Sequence, residues 1–288
     1  MSAEAPQAPN PLQGQTVTER ISYWSIVWEQ LRKNRIAVFG LWCIGALVLL
    51  AVYAPLLSLD QPLVWRDATG WSSPLFGGLF NRLLFENGVD VFFNLLMVLS
   101  PLYAAIWALA RRRVGRGRLA RWLAGAQFVV FVMVAPSQWG PVANPLYTSK
   151  AIVDYRVLAD DATAEEDVFG VFAPRRFHYR ETDPTRSVLP PSAAHWLGTD
   201  EVGRDVFARM LYGTRISLTL GVVAVAIYVT IGVVLGSLAG YFGGRVDDWI
   251  SRLIEVMICF PTFFLILTLA ALVEQRSIFH VMVIIGVT

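Results

Sequence analysis

The chain has little charge and almost no lysine. Charged residues make up 16% of its 288 positions, where a soluble domain carries nearer a quarter. The two lysines are Lys33, followed by Asn34, and Lys150, followed by Ala151. Neither closes a Gly-rich turn as a P-loop lysine does, so the chain is not expected to hydrolyse ATP through such a loop of its own. Histidine is scarce too: His178, His195 and His280 form no His-x-x-x-His pair, and no CxxC occurs. No metal site, nucleophile site or cofactor is expected. His195, beside Trp196 in a loop, is read as structural. Cys43 and Cys259 both lie inside apolar runs and read as small apolar residues rather than a disulfide. The net charge of +2 is too small to suggest nucleic acid.

What is present is apolar sequence, 55% of the chain. It falls in runs near the roughly 20 residues a helix needs to cross a bilayer. Trp and Tyr cluster at several run ends, as interfacial residues do. Met1–Gln15 is rich in Pro, Ala and Gln and reads as disordered. No cleavable signal peptide is expected, because the first apolar run begins only at Ile36 and is too long. Glu19–Arg35 reads as a helix, with Ile21, Trp24, Trp28 and Leu31 at helical spacing. It is expected either to lie on the membrane surface or to extend the first span.

Five complete runs and the start of a sixth follow: Ile36–Leu57, Val89–Ala110, Leu119–Pro136, Ile216–Phe242, about Ile254–Val273, and one from Ile278. Arg32, Lys33 and Arg35 precede the first. Arg111, Arg112, Arg113, Arg116, Arg118 and Arg121 join the second to the third, and Arg245 and Arg252 lie between the fourth and fifth. The opposite side has only Arg66, Arg82 and Arg276. The positive-inside rule then places the N-terminus in the cytoplasm and Ser137–Arg215 outside. An acidic stretch there, Asp160, Asp161, Glu165, Glu166 and Asp167, reads as a solvated loop or a binding surface.

The fourth run carries Ala224, Tyr228, Gly232, Gly236 and Gly240 at i+4 intervals. Small residues in that register let a second helix approach closely. Pro261 is expected to kink the fifth run. Asp248, Arg252 and Glu255 are spaced to share charge on one helix face near the cytoplasmic end.

The segment PPSAAHWLGTDEVGRDVFARMLYGTRISL contains Gly198, Thr199, Asp200, Gly203, Arg204 and Asp205. It resembles the signature of the dipeptide, oligopeptide and nickel permease family, specifically its C-type subunit. The sequence from GVVAVAIYVT to MICFPTFF, and KNRIAVFGLW with APLL at the first span, are similar as well. The two glycines permit tight turns, and Asp200, Arg204 and Asp205 are expected to pair with one another. The element then shapes the outer mouth, braces the helix start, or only braces the family fold.

The resemblance implies an all-α transmembrane bundle of the type I ABC importer kind, in a bacterial inner membrane. It implies a second permease subunit, two cytoplasmic ATPases and an external binding protein, with short peptides or nickel as cargo and alternating access as the mechanism. The chain departs from the family layout by inserting two helices. The expected organisation is a cytoplasmic tail and interfacial helix (1–35), a first span (36–58), an inserted pair (89–136), an external loop (137–213) and the start of the permease core (214–288). The last run holds only about half a crossing, so the natural protein is expected to continue past Thr288 to the family's coupling motif. The rival readings are a membrane enzyme or a receptor using 137–213.

Overall fold

The computed structural model describes residues 23–81, 83–85, 87–134, 151–161, 168–272 and 278–287. The expectations for the N-terminal tail and for Glu165, Glu166 and Asp167 fall outside them. Two compact units divide at Leu47 and Val48.

In the first unit, α1 (Tyr23–Lys33) and the first part of α2 (Arg35–Val52) are separate helices. Asn34 breaks them: its side-chain oxygen accepts from the backbone N–H groups of Ile36 and Ala37 and so caps α2. The surface of α1 carries one ion pair, Lys33 to Glu29 at 2.8 Å.

In the second unit, α2 ends at Val52 and a short α3 (Ala54–Leu57) leads out of it. A hairpin follows, β1 (Val64–Asp67) and β2 (Gly70–Ser72), then α4 (Pro74–Gly78). Next come α5 (Gly88–Ala110), α6 (Arg116–Val134), α7 (Tyr155–Asp161) and β3 (Phe169–Val171). The chain then runs through α8 (Val206–Phe242), α9 (Gly244–Cys259), α10 (Thr262–Leu272) and α11 (Ile278–Val287).

Among the described residues, α2, α5 and α8 are long and apolar enough to cross a membrane, and the bent pair α9–α10 makes a fourth if it is one span. α8 has 37 residues, about 55 Å of helix against a hydrocarbon core of about 30 Å. The expected start of this span at Ile216 is ten residues into the helix. Asp205 caps α8 by accepting from the Ala208 N–H at 2.8 Å, eleven residues before Ile216. The fifth run does not form one kinked helix. α9 and α10 meet at 85°, because Phe260 is extended before Pro261, as a residue preceding proline prefers.

The segments between spans are not free loops. β1 lies between β2 and β3 in an antiparallel sheet, with Trp65 opposite Ser72 and Gly170. Leu59 and Arg175 exchange a second set of backbone bonds, Leu59 N–H to Arg175 O and Arg175 N–H to Leu57 O, both at 3.1 Å. The described residues of 58–88, 151–161 and 168–205 thus build one loop domain. Its core of Leu59, Leu75, Leu79 and Phe85 continues into Val89 and Phe93 of α5 and into Leu211 and Tyr212 of α8.

Candidate functional site

The turn before α8 is fixed by one carboxylate. Asp200 accepts from the backbone N–H groups of Val202 and Arg204. It also accepts from the Arg204 Nε at 2.8 Å and from the guanidinium of Arg209. Partial burial works to raise its pKa, but these donors outweigh it and hold Asp200 at about 2. Gly198 and Gly203 both have left-handed φ, 74° and 76°. A Cβ on Gly198 would meet the Leu189 carbonyl, and one on Gly203 the Asp183 carbonyl. Thr199 donates its hydroxyl to the Arg186 carbonyl and accepts from the Leu189 N–H.

Asp205 does not pair with Arg204 as the spacing suggested. Its Oδ1 is committed to the α8 cap and its Oδ2 lies 2.8 Å from Nδ1 of buried His195. His195 stacks on Phe177 with ring centroids 4.4 Å apart. Arg175 closes the turn from the other side, its guanidinium 3.8 Å above Trp196 and bonded to the Ala193 and Ala194 carbonyls.

A second site was not anticipated from the sequence. Arg215 of α8 is fully buried. It reaches Asp90 of α5 at 3.1 Å and the Ala51 carbonyl of α2 at 2.8 Å, and lies over the Tyr212 and Phe93 rings. Tyr179 of the loop domain donates to the other Asp90 oxygen, and Tyr212 donates to the Ser58 carbonyl. One buried pair therefore fastens three long helices and the loop domain together. Arg215 Nη2 has no partner among the described residues. Beside this node, burial pushes the Tyr179 phenol up, and Asp90 adds to the effect. Burial, aided by Arg180 and Arg215, lowers His178 to about 3, so this ring is neutral. Burial and the nearby Glu181 raise Asp60 to about 6, against the pull of Arg156.

The loop domain also has an open groove of about 510 Å³, lined by Asp154, Arg156, Asp160, Glu181 and Asp183 among others. Arg156 bridges Asp154 and Glu181 at 3.3 and 2.7 Å. Asp160 and Asp161 at the end of α7 are exposed. Among the described residues no three His, Cys, Asp or Glu side chains converge on a metal position.

The remaining sequence-predicted residues stand apart from both sites. Among the described residues nothing lies within 4 Å of a Cβ built on Gly232, Gly236 or Gly240, so none of them covers that face of α8. The close helix contact occurs earlier, where Gly286 of α11 meets Ala224 and Ile227. On α9, Arg252 pairs with Glu255 at 2.9 Å on the exposed surface, and Asp248 stands outside that pair.

Residues 22–67 match the family described as the N-terminal TM domain of oligopeptide transport permease C. The probable D,D-dipeptide transport system permease protein DdpC of Escherichia coli K12 is 48% identical over 105 residues, 36% of this chain and 35% of that protein. The nickel transport system permease protein NikC of the same organism is 44% identical over 79 residues, 27% of this chain and 28% of that protein. The inner membrane ABC transporter permease protein YejE, also of E. coli K12, is 29% identical over 249 residues, 86% of this chain and 56% of that protein. The match spans about a third of the length of the first curated relatives. These relatives are transport permeases, not enzymes.

Proposed function

We propose that the chain is a C-type permease subunit of the dipeptide, oligopeptide and nickel importer family and that it forms half of a path for short peptides across the inner membrane. A second permease subunit supplies the other half. Two cytoplasmic ATPases drive alternating access, and an external binding protein delivers the cargo to the loop domain. The N-terminus and the Arg111–Arg121 connection lie in the cytoplasm, and the loop domain lies outside. The arginine placement supports that orientation.

The observation that carries the reading is the open face of α8. Gly232, Gly236 and Gly240 are in register with no neighbour among the described residues within 4 Å of a built Cβ, and Val222, Tyr228 and Val233 beside them are exposed. In lipid such a face is where a second helix packs. α5 and α6 form a helical hairpin, Tyr103 of α5 donating to Gln127 of α6 at 3.0 Å. That hairpin leaves the permease core of 214–288 on the same side as in a family member without it.

The test is assembly. A tag on this chain should recover the second permease and the ATPases from solubilised membranes. Gly236→Leu puts a large side chain on the open face and should reduce recovery of the second permease about tenfold or more, a cost of roughly 1.4 kcal/mol at the interface. Full recovery with Gly236→Leu would remove this face from the interface.

A further inference from the structure

Between Asp90 and Asp154 the sequence contains no acidic residue, yet it contains Arg111, Arg112, Arg113, Arg116, Arg118 and Arg121. Among the described residues, Arg111, Arg112, Arg113, Arg118 and Arg121 form no ion pair with a carboxylate; Arg121 donates to the Gly117 carbonyl, at 3.4 Å. This stretch of chain therefore offers them no carboxylate partner of its own. Two of the arginines end an apolar groove. Arg118 and Arg121 stand at one end of an open depression of about 820 Å³ whose floor is Gly125 and Ala126 and whose far end is Met133. All lie on one face of α6. The opposite face is occupied by α5: Gln127 donates to the Phe92 carbonyl, and Phe131 meets Phe92 edge-on at 5.3 Å. Trp122, on the groove side, is 73% exposed. From Arg118 to Met133 is roughly 22 Å of helix, more than the roughly 15 Å depth of hydrocarbon in one leaflet.

We infer that this groove binds one anionic phospholipid, its phosphate against Arg118 and Arg121 and its acyl chains over Gly125 and Ala126. The charge answers the arginines and the length answers the groove. A run of arginine needed only to set orientation requires no apolar channel continuing from it. A partner helix fits less well, because it would bury Arg118 and Arg121 without an acid to pair them. The inference rests on the proposed membrane reading of α5 and α6, in which α6 enters the bilayer beside α5 although of the two α5 alone is long and apolar enough to cross by itself. Clusters of basic residues beside a span are the usual seat of anionic lipid heads.

The test uses the chain as expressed, purified in detergent and exchanged into mixed phosphatidylcholine and phosphatidylglycerol, with bound lipid read by native mass spectrometry. Phosphatidylglycerol should be retained over phosphatidylcholine, and excess inorganic phosphate should not displace it. Arg118→Gln with Arg121→Gln should lower retention about thirtyfold, as expected for two basic side chains at an anionic surface. Arg118→Lys with Arg121→Lys should keep most of it. Gly125→Leu with Ala126→Leu fills the floor without touching charge and should also lower it. Undiminished retention in the filled variant or in the Gln variant would overturn the site. So would displacement by phosphate, or a cross-link from a cysteine at Ala126 to another subunit. Labelling of a cysteine at Gly117 by an impermeant thiol reagent in intact cells would contradict the orientation alone, since retention in detergent does not depend on it.

Discussion

Arg215→Met is expected to cost about 3–5 kcal/mol of stability and to leave little folded protein in the membrane. The side chain is fully buried, and its counter-charge Asp90 is 3% exposed. Removing Arg215 leaves Asp90 buried without its counter-charge, with the neutral donors Tyr179 and Asn87 beside it. Asp90→Ala should do the same from the other side. The double change Arg215→Met with Asp90→Asn should recover much of the loss, since replacing a whole buried pair is often close to neutral. Arg215→Lys should not recover it, because one ammonium cannot reproduce the fork that spans Asp90 and the Ala51 carbonyl. Thermal unfolding followed by size-exclusion recovery reads all four. Single variants as stable as the parent would show that the node carries no structural weight.

Gly203→Ala is the second large effect. The residue sits at φ 76° and a methyl group there meets the Asp183 carbonyl. The backbone conformation alone costs about 1–3 kcal/mol for a residue other than glycine, and the collision forces the 183–186 turn away from 200–204. The cap of α8 depends on that turn through Asp205 and His195. Amide exchange at Val202, Arg204 and Ala208 should therefore speed up together in Gly203→Ala. Gly77→Ala, where nothing lies within 4 Å, is the control and should change none of them. Unaltered exchange in Gly203→Ala would refute the clamp.

The difference between what could and could not be read from sequence is one of range. The spans, the two strained glycines, the Gly232 register and the break at Pro261 are local patterns, and each needs only its own few residues. The start of α8 was also local: Asp205 three residues before the Ala208 amide is an N-cap signal. It was hidden because Val206–Arg215 mixes Arg209, Thr214 and Arg215 with apolar residues and so ends the apolar count. The Asp90–Arg215 pair had no such signal, because its members are 125 residues apart and each sits at the edge of a run where a charge looks interfacial. The loop domain was illegible for the same reason. Its sheet joins Val64–Asp67 to Phe169–Val171, and each strand is too short to declare itself without the other. Asp205 was assigned the wrong partner because Arg204 is adjacent in sequence, while the buried partner, His195, is ten residues away.

We propose that this chain is the membrane path of an ATP-driven importer rather than a receptor or an enzyme. The most direct measurement is uptake of a labelled short peptide into proteoliposomes. They would hold this subunit, its partner permease and the ATPases, with binding protein outside and ATP inside. The account predicts uptake that requires ATP and binding protein, stops when this subunit is omitted, and is lost with Arg215→Met. Uptake at the parental rate without this subunit would contradict it.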